Sequence, residues 1–182
     1  IFDVRYHNTI NKAAKNDNVV GVYLEGGAMA ANPGMAQELR QALVEFKKSG
    51  KWVVAYGDSY GKTAYYLSSV ADSVLLNPEG NVDFSGMATQ IMFFKDVMEK
   101  VGVKMQVFKV GTYKSAVEPF ICSEMSPANR EQVTSYLFSI WTNMLKDVAE
   151  SRNMEVSKLN SLADSLPLPF AREISLLRHS IA

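Results

Sequence analysis

Cysteine is all but missing from this chain. Cys122 is the only one in 182 residues, so no disulfide can close within it and no cysteine cluster can hold a metal. Histidine is almost as scarce. His7 and His179 stand at opposite ends, which argues against a His-rich zinc centre, and no metal or cofactor is expected. There is no excess of charge, because 19 Lys and Arg balance 19 Asp and Glu, and nothing in that balance favours nucleic acid or an anionic membrane as a partner. No apolar run approaches the roughly 20 residues that a membrane-spanning helix needs. The opening, IFDVRYHNTINKAAK, does not read as a secretory signal, so any leader or anchor is expected outside this stretch. Internal repeats, low-complexity tracts and linkers are missing as well. What remains is 47% apolar with scattered charges, the composition of an ordinary globular domain large enough to bury a substantial core.

Within that composition the apolar residues keep helical and strand periods in alternation. Asp3 to Lys15 has a helical spacing. Val19 to Leu24 is a short continuous apolar run ahead of Gly26-Gly27 and suits a buried parallel strand. After Asn32-Pro33-Gly34, the residues Met35, Leu39, Leu43 and Phe46 share one helical face, and Gly50 closes the helix. Trp52 to Tyr56 predicts a second strand, Gly57 to Gly61 a turn, and KTAYYLSSVA a short helix. Ser73 to Leu76 predicts a third strand ended by Asn77-Pro78, with a small extended piece at Val82 to Phe84. Ile91, Phe94, Met98 and Val101 mark a further helix stopped by Gly102. From Pro127 to about Arg152 the spacing of Val133, Leu137, Ile140, Trp141, Met144 and Val148 predicts a long helix, and Val156 to Ala163 another. Strands separated by helices argue for an α/β fold with a largely parallel sheet.

The stretch that concentrates chemistry is Lys104 to Pro127, KMQVFKVGTYKSAVEPFICSEMSP. Its first residues alternate and are β-rich, predicting a strand that turns at Gly111. Lys114 comes next, beside Ser115. Ser126-Pro127 then opens the long helix, with a hydroxyl at the N-cap and proline at the first helical position. A lysine at the C-terminal mouth of a strand lies where open α/β folds place their chemistry. By type and position alone it is more often a solvated surface charge, and pairing with Glu118 four residues on is the bland account.

The string VGTYKSAVEPF, ahead of a serine-proline helix start, resembles the first half of the long form of the protease IV, or signal peptide peptidase A, family of serine proteases. The resemblance extends upstream through YYLSSVADSVLLNPEGNVDFSGMATQIMFFKDVMEKVGV. It covers residues 1–165 as a lysine-bearing half, and leaves 166–182 as a poorly matched tail that reads as a truncated linker or helix. It implies a ClpP/crotonase-like α/β fold with a mostly parallel sheet flanked by helices. It also implies a bacterial enzyme anchored in the inner membrane with its catalytic part in the periplasm, a homo-oligomer, cutting signal peptides with a serine-lysine dyad. Carried over by motif, the general base is Lys114, and the nucleophilic serine belongs to a C-terminal half. At the position matching that serine this chain has Lys62, ahead of Thr63-Ala64-Tyr65-Tyr66. The resemblance thus implies half of an active site. Two rivals stay open: a non-catalytic scaffold or oligomerisation half of the same protease, and acyl-CoA chemistry of the crotonase type.

Independently of the name, a serine hydroxyl needs a base, and lysine serves only when neutral, which burial favours. Val110, Tyr113, Val117 and Phe120 are candidates for an apolar wall, and Ser115 for a partner that orients the amine. Gly26-Gly27 offers backbone N–H groups to an oxyanion or, more simply, makes a tight turn. Ser59 and Thr63 lie outside any GxSxG pattern, and turn and cap roles suffice for them. Met87, Met92, Phe93, Phe94 and Met98 suit either a greasy substrate groove or a helical core or interface. Cys122 has no functional reading beyond a semi-buried thiol.

Overall fold

The computed structural model describes residues 2–27, 29, 31–107 and 115–164. They form helices α1 (Phe2–Ala14), α2 (Pro33–Lys47), α3 (Lys62–Ser68), α4 (Lys95–Lys100), α5 (Glu118–Ile121), α6 (Pro127–Arg152) and α7 (Val156–Asp164). The strands are β1 (Gly21–Glu25), β2 (Trp52–Tyr60) and β3 (Ser73–Val82). The chain divides into two compact units, residues 1–86 with 143–182, and residues 87–142.

In the first unit the three strands lie in the order β1-β2-β3 and all run parallel. Each strand is joined to the next through a helix, as parallel neighbours require. On one face Val22, Leu24, Val53, Ala55 and Val74 pack with Phe46 of α2 and with Ile10, Ala13 and Ala14 of α1. Phe46, Val53 and Ala55 are fully buried there. Register places the alternate residues on the other face, and Tyr23, Trp52, Tyr56 and Leu75 are exposed on it.

Helix α2 starts where proline and asparagine place it: the Asn32 side chain accepts the Met35 N–H at 2.9 Å. It ends before Gly50, whose φ of +78° is the left-handed conformation that glycine adopts without strain. Its inward face carries an arginine. Arg40 is 5% exposed and its guanidinium donates to the Tyr66 carbonyl, the Ser69 hydroxyl (2.7 Å), the Asp147 carbonyl (2.5 Å) and the Ser151 hydroxyl (2.6 Å). One side chain therefore joins α2, the end of α3 and the last turns of α6. The Tyr66 ring lies beneath it at 4.7 Å, and the Tyr66 hydroxyl donates to the Asp147 carboxylate at 2.5 Å.

Several expectations change. β2 does not stop at Tyr56 but continues to Tyr60, and β3 runs through Asn77-Pro78 to Val82. Between the pairs Gly57↔Leu76 and Ser59↔Asn81 the register shifts, so residues 77–80 lie opposite the single Asp58. This bulge absorbs the proline, which has no N–H for a ladder bond and is tolerated on an edge strand. Asn77 donates to the Asp58 carboxylate at 2.9 Å and accepts the Glu79 N–H at 3.0 Å, closing the excursion locally.

In the second unit α4 begins at Lys95, not Ile91. It ends as expected at Gly102, with φ +79°. Residues 104–107 form no strand. An extended segment becomes one only when a neighbour completes its hydrogen bonds, and the described sheet has three strands that do not include it. The rest of that predicted strand and the turn at Gly111 lie outside the described residues. Helix α6 has the predicted limits, and Ser126 caps it by accepting the Asn129 N–H at 3.2 Å. Its stripe is buried from Trp141 onward, through Met144 and Val148, whereas Tyr136 and Phe138 are exposed.

Candidate active site

Lys114, the base implied by the motif, lies outside the described residues, as do Val110 and Tyr113. The segment on its C-terminal side is described. Ser115–Val117 form one 3-10 turn and Glu118–Ile121 the short α5. The Ser115 hydroxyl donates to the Gln132 side-chain oxygen of α6 at 3.1 Å. Glu118, which the sequence offered as the surface partner of a surface lysine, is 2% exposed. Its carboxylate accepts the Ser126 hydroxyl at 2.6 Å, the Asn129 side-chain N–H at 2.8 Å and the Ser126 backbone N–H at 3.3 Å. A carboxylate facing three donors at a helix N-terminus is satisfied both by hydrogen bonds and by the helix dipole. Sequence reasoning missed this cluster. Its signal was a glutamate just ahead of a serine-proline helix start with Asn129 in the first turn.

One of the apolar residues that suggested a groove, Phe94, lies against the same segment. Phe94 stacks on Phe120 with ring centroids 6.0 Å apart. The Phe94 N–H donates to the Pro119 carbonyl at 2.6 Å, and Ser123 donates to Asp96 at 2.8 Å. Met92 and Phe94 are exposed, and so is Phe120. Met87, Phe93 and Met98 are half-buried, as are Val117 and Cys122. The second unit thus presents an apolar shelf beside the residues after Lys114, and Phe120 belongs to that shelf, not to a buried wall.

In the first unit the C-terminal ends of the strands hold the other candidates. Gly26 is committed to the sheet. Its N–H donates to the Tyr56 carbonyl at 2.6 Å, so the oxyanion reading fails for this residue and the turn reading stands. A side chain there would lie 2.6 Å from the Tyr60 ring and 2.9 Å from the Gly57 Cα. Gly27 has φ +146°, which suits a glycine turn. Ser59 is an exposed strand residue and not a turn, and Thr63 is the second residue of α3, whose N-cap is Gly61. Lys62 opens α3, and its amine donates to the Gly86 carbonyl at 2.6 Å. Near it the Asp83 carboxylate accepts the Ser85 hydroxyl (2.7 Å) and backbone N–H (3.1 Å), which hold it below the ordinary aspartate range.

Three tyrosines line this end of the unit. Burial, with Tyr23 and Tyr56 adding to it, pushes the Tyr60 phenol up to about 12. Burial also raises Tyr65, and burial together with the bond to Asp147 raises Tyr66. All three stay protonated at neutral pH, so none can take a proton from a hydroxyl nucleophile. No group of three or more metal-binding side chains occurs among the described residues.

Comparison with known proteins decides the relationship. The model of peptidase family S49 matches residues 45–172. The chain belongs to peptidase family S49. It is 40% identical to Protease 4 of Salmonella typhi over 161 residues, 87% of this chain and 26% of that protein. It is 35% identical to Protease 4 of Haemophilus influenzae over 163 residues, again 87% of this chain and 26% of that protein. It is 33% identical over 140 residues, 77% of this chain, to the chloroplastic serine protease SPPA of Arabidopsis thaliana, of which those residues make up 21%. The chain spans about a quarter of the length of the curated relatives it matches. The protease IV/signal peptide peptidase A resemblance therefore holds. So does the fold class: S49 peptidases have a ClpP-like fold, and the parallel sheet flanked by helices agrees with it.

Proposed function

We propose that this chain is the lysine-bearing half of a serine endopeptidase that degrades cleaved signal peptides and other peptides at a membrane. Lys114 is the general base, and the nucleophilic serine comes from a C-terminal half of the same protein. The observation that carries this reading is the motif VGTYKSAVEPF in an S49 chain, where Lys114 precedes a segment tied to α6 and flanked by the exposed, stacked rings of Phe94 and Phe120. That shelf suits the apolar side chains of a signal peptide lying extended beside the base.

In the proposed reaction the neutral Lys114 amine takes the proton of the serine hydroxyl as its oxygen attacks the scissile carbonyl. The resulting ammonium returns the proton to the leaving amine, and water then releases the acyl group by the same exchange. The anchoring to the bacterial inner membrane, the periplasmic site and the oligomeric working form belong to the same proposal. No helix among the described residues is long and apolar enough to cross a membrane.

Hydrolysis of an unstructured, leucine-rich fluorogenic peptide by the full-length two-half protein tests it. Lys114→Ala is expected to lower kcat by at least about 10³-fold, the scale of losing a triad's base. Turnover within about tenfold of wild type would remove Lys114 from the base role. A second reading, a non-catalytic scaffold half, is favoured by Lys62, which stands at the nucleophile position with its amine bonded to the Gly86 carbonyl. Full-rate cleavage by the second half alone would establish the scaffold and end the first reading.

A further inference from the structure

We propose that Glu118 is a positioning residue for this peptidase reaction, holding the turn after Lys114 against the first turn of α6. The inference rests on the reading of Lys114 as the base. Four residues, Ser115 to Glu118, are pinned at both ends to one long helix. Ser115 reaches Gln132 in its second turn, and Glu118 reaches Ser126 and Asn129 at its start. The Glu118 carbonyl also accepts the Cys122 N–H at 2.9 Å, so the carboxylate is carried on a closed turn and not on a loose loop.

The pattern of donors makes the ionised carboxylate specific. One oxygen takes the Ser126 hydroxyl, and the other takes the Asn129 amide and the Ser126 N–H. The Ser126 oxygen in turn accepts the Asn129 N–H, and the Ser126 carbonyl accepts the Arg130 N–H at 2.9 Å, so the helix cap and the clamp are one network. An amide at position 118 keeps one oxygen for the Asn129 amide and the Ser126 N–H but sets an NH₂ group on the Ser126 hydroxyl, which must turn round to accept it, and the clamp loses its negative charge at the helix start in a site that is 2% exposed. Lys114 is bonded directly to Ser115, one Cα step of about 3.8 Å away. Any shift of the 115–118 turn on α6 is therefore transmitted to the base. Misplacing a catalytic group by about 1 Å costs on the order of 100-fold in rate, while the apolar contacts that bind peptide are little affected.

The test uses the full-length two-half protein and the leucine-rich fluorogenic peptide, with rates normalised to folded protein by circular dichroism. Glu118→Gln is expected to lower kcat at least about threefold with KM within about twofold, and Asn129→Asp, which sets two carboxylates face to face, to lower it about 10- to 100-fold. The double variant E118Q/N129D gives the new carboxylate at position 129 an amide donor in place of a facing carboxylate and is expected to recover kcat at least about threefold over N129D, a rescue that lost packing would not give. A folded E118Q protein with kcat within about twofold of wild type, or a double variant no better than N129D, overturns the proposal. If E118Q does not fold, Asn129→Ala removes a single bond: a several-fold loss of kcat supports the clamp, and an unchanged kcat overturns it. Lys114→Ala in the same series separates the two readings. A silent K114A beside a fully active E118Q ends only the Glu118 proposal, whereas an active K114A ends the base reading itself.

Discussion

Arg40→Met should unfold this chain far more readily than a swap of similar volume normally does. Methionine fills much of the space of the arginine stem, so the cost comes from the four acceptors that lose a charged donor: the Tyr66 and Asp147 carbonyls and the Ser69 and Ser151 hydroxyls. Charge-assisted bonds are each worth about 1.5 kcal/mol at the low end of their range, about 6 kcal/mol for the four. About half is recoverable. The Ser69 hydroxyl still donates to the Tyr66 carbonyl at 2.8 Å, and the Asp147 side chain, 34% exposed, keeps the Tyr66 hydroxyl and meets water. The net loss is about 3 kcal/mol, in the range measured for breaking buried charged networks. With a urea m-value of about 2 kcal/mol/M for a chain of this size, the midpoint falls by about 1.5 M, and Tm falls by about 6–12 °C. Urea unfolding of the purified chain followed by circular dichroism reads this directly. Arg40→Lys should recover no more than about a third, because one ammonium cannot fork to four acceptors on two helices. A midpoint for Arg40→Met within about 0.3 M of wild type would refute the view that this guanidinium ties α2, α3 and α6 together.

Two further outcomes test the fold. The Asp72 carboxylate is raised by partial burial, but the Lys47 amine at 2.7 Å and the Val53 N–H at 2.8 Å outweigh this and hold it below the ordinary aspartate value. A folded-state pKa below the unfolded value of about 3.9 gives stability that is present above that pH and lost as pH falls through the folded value. Asp72→Asn should therefore be less stable at pH 7, by under about 1 kcal/mol because the pair is largely exposed, and indistinguishable from wild type near pH 2; an equal gap at both pH values would contradict the linkage. Gly26→Ala should cost about 2–3 kcal/mol in the same urea assay, since its new carbon meets the Gly57 backbone as well as Tyr60, whereas Gly21→Ala meets only the Trp52 ring, which is 45% exposed and can swing aside, and should cost under about 1 kcal/mol. Equal costs at the two glycines would mean that the strands are not in close contact at Gly26 and Gly57.

What could be seen in the sequence was whatever had a local cause. The limits of α6 come from the Ser126-Pro127 start and the Trp141, Met144, Val148 stripe, and those of α2 from Asn32-Pro33 and Gly50. The family was legible because VGTYKSAVEPF is a string and not a shape. What could not be seen depends on partners distant in the chain. Gly57-Asp58-Ser59 looks like a turn by composition, and it is a strand because β3 pairs with it around a bulge. Arg40 sits on the inward face with Ala36 and Leu43, but polarity assigns it outward, and the acceptors that keep it inside come from residues up to 151. The burial of Glu118 has the same origin, while its pairing with Lys114 lies outside the described residues. Its spacing from Lys114 suggested a surface pair, while its burial comes from a helix that starts nine residues later.

Gly26, Gly57 and Tyr60 also constrain how this sequence can change over time. A carbon added at Gly26 would sit 2.9 Å from the Gly57 Cα and 2.6 Å from the Tyr60 ring, and one added at Gly57 would sit 3.0 Å from the Gly26 Cα and 3.1 Å from the same ring. Each glycine is thus held by the other and by the tyrosine. A smaller residue at position 60 would relieve only the ring contacts, leaving the two backbones in the way, and it would forfeit a ring that is 1% exposed and hydrogen-bonded to the Leu75 carbonyl at 3.0 Å. A side chain at either glycine therefore needs the strands to part as well as the ring to give way, so change at any one of the three positions is judged by the other two.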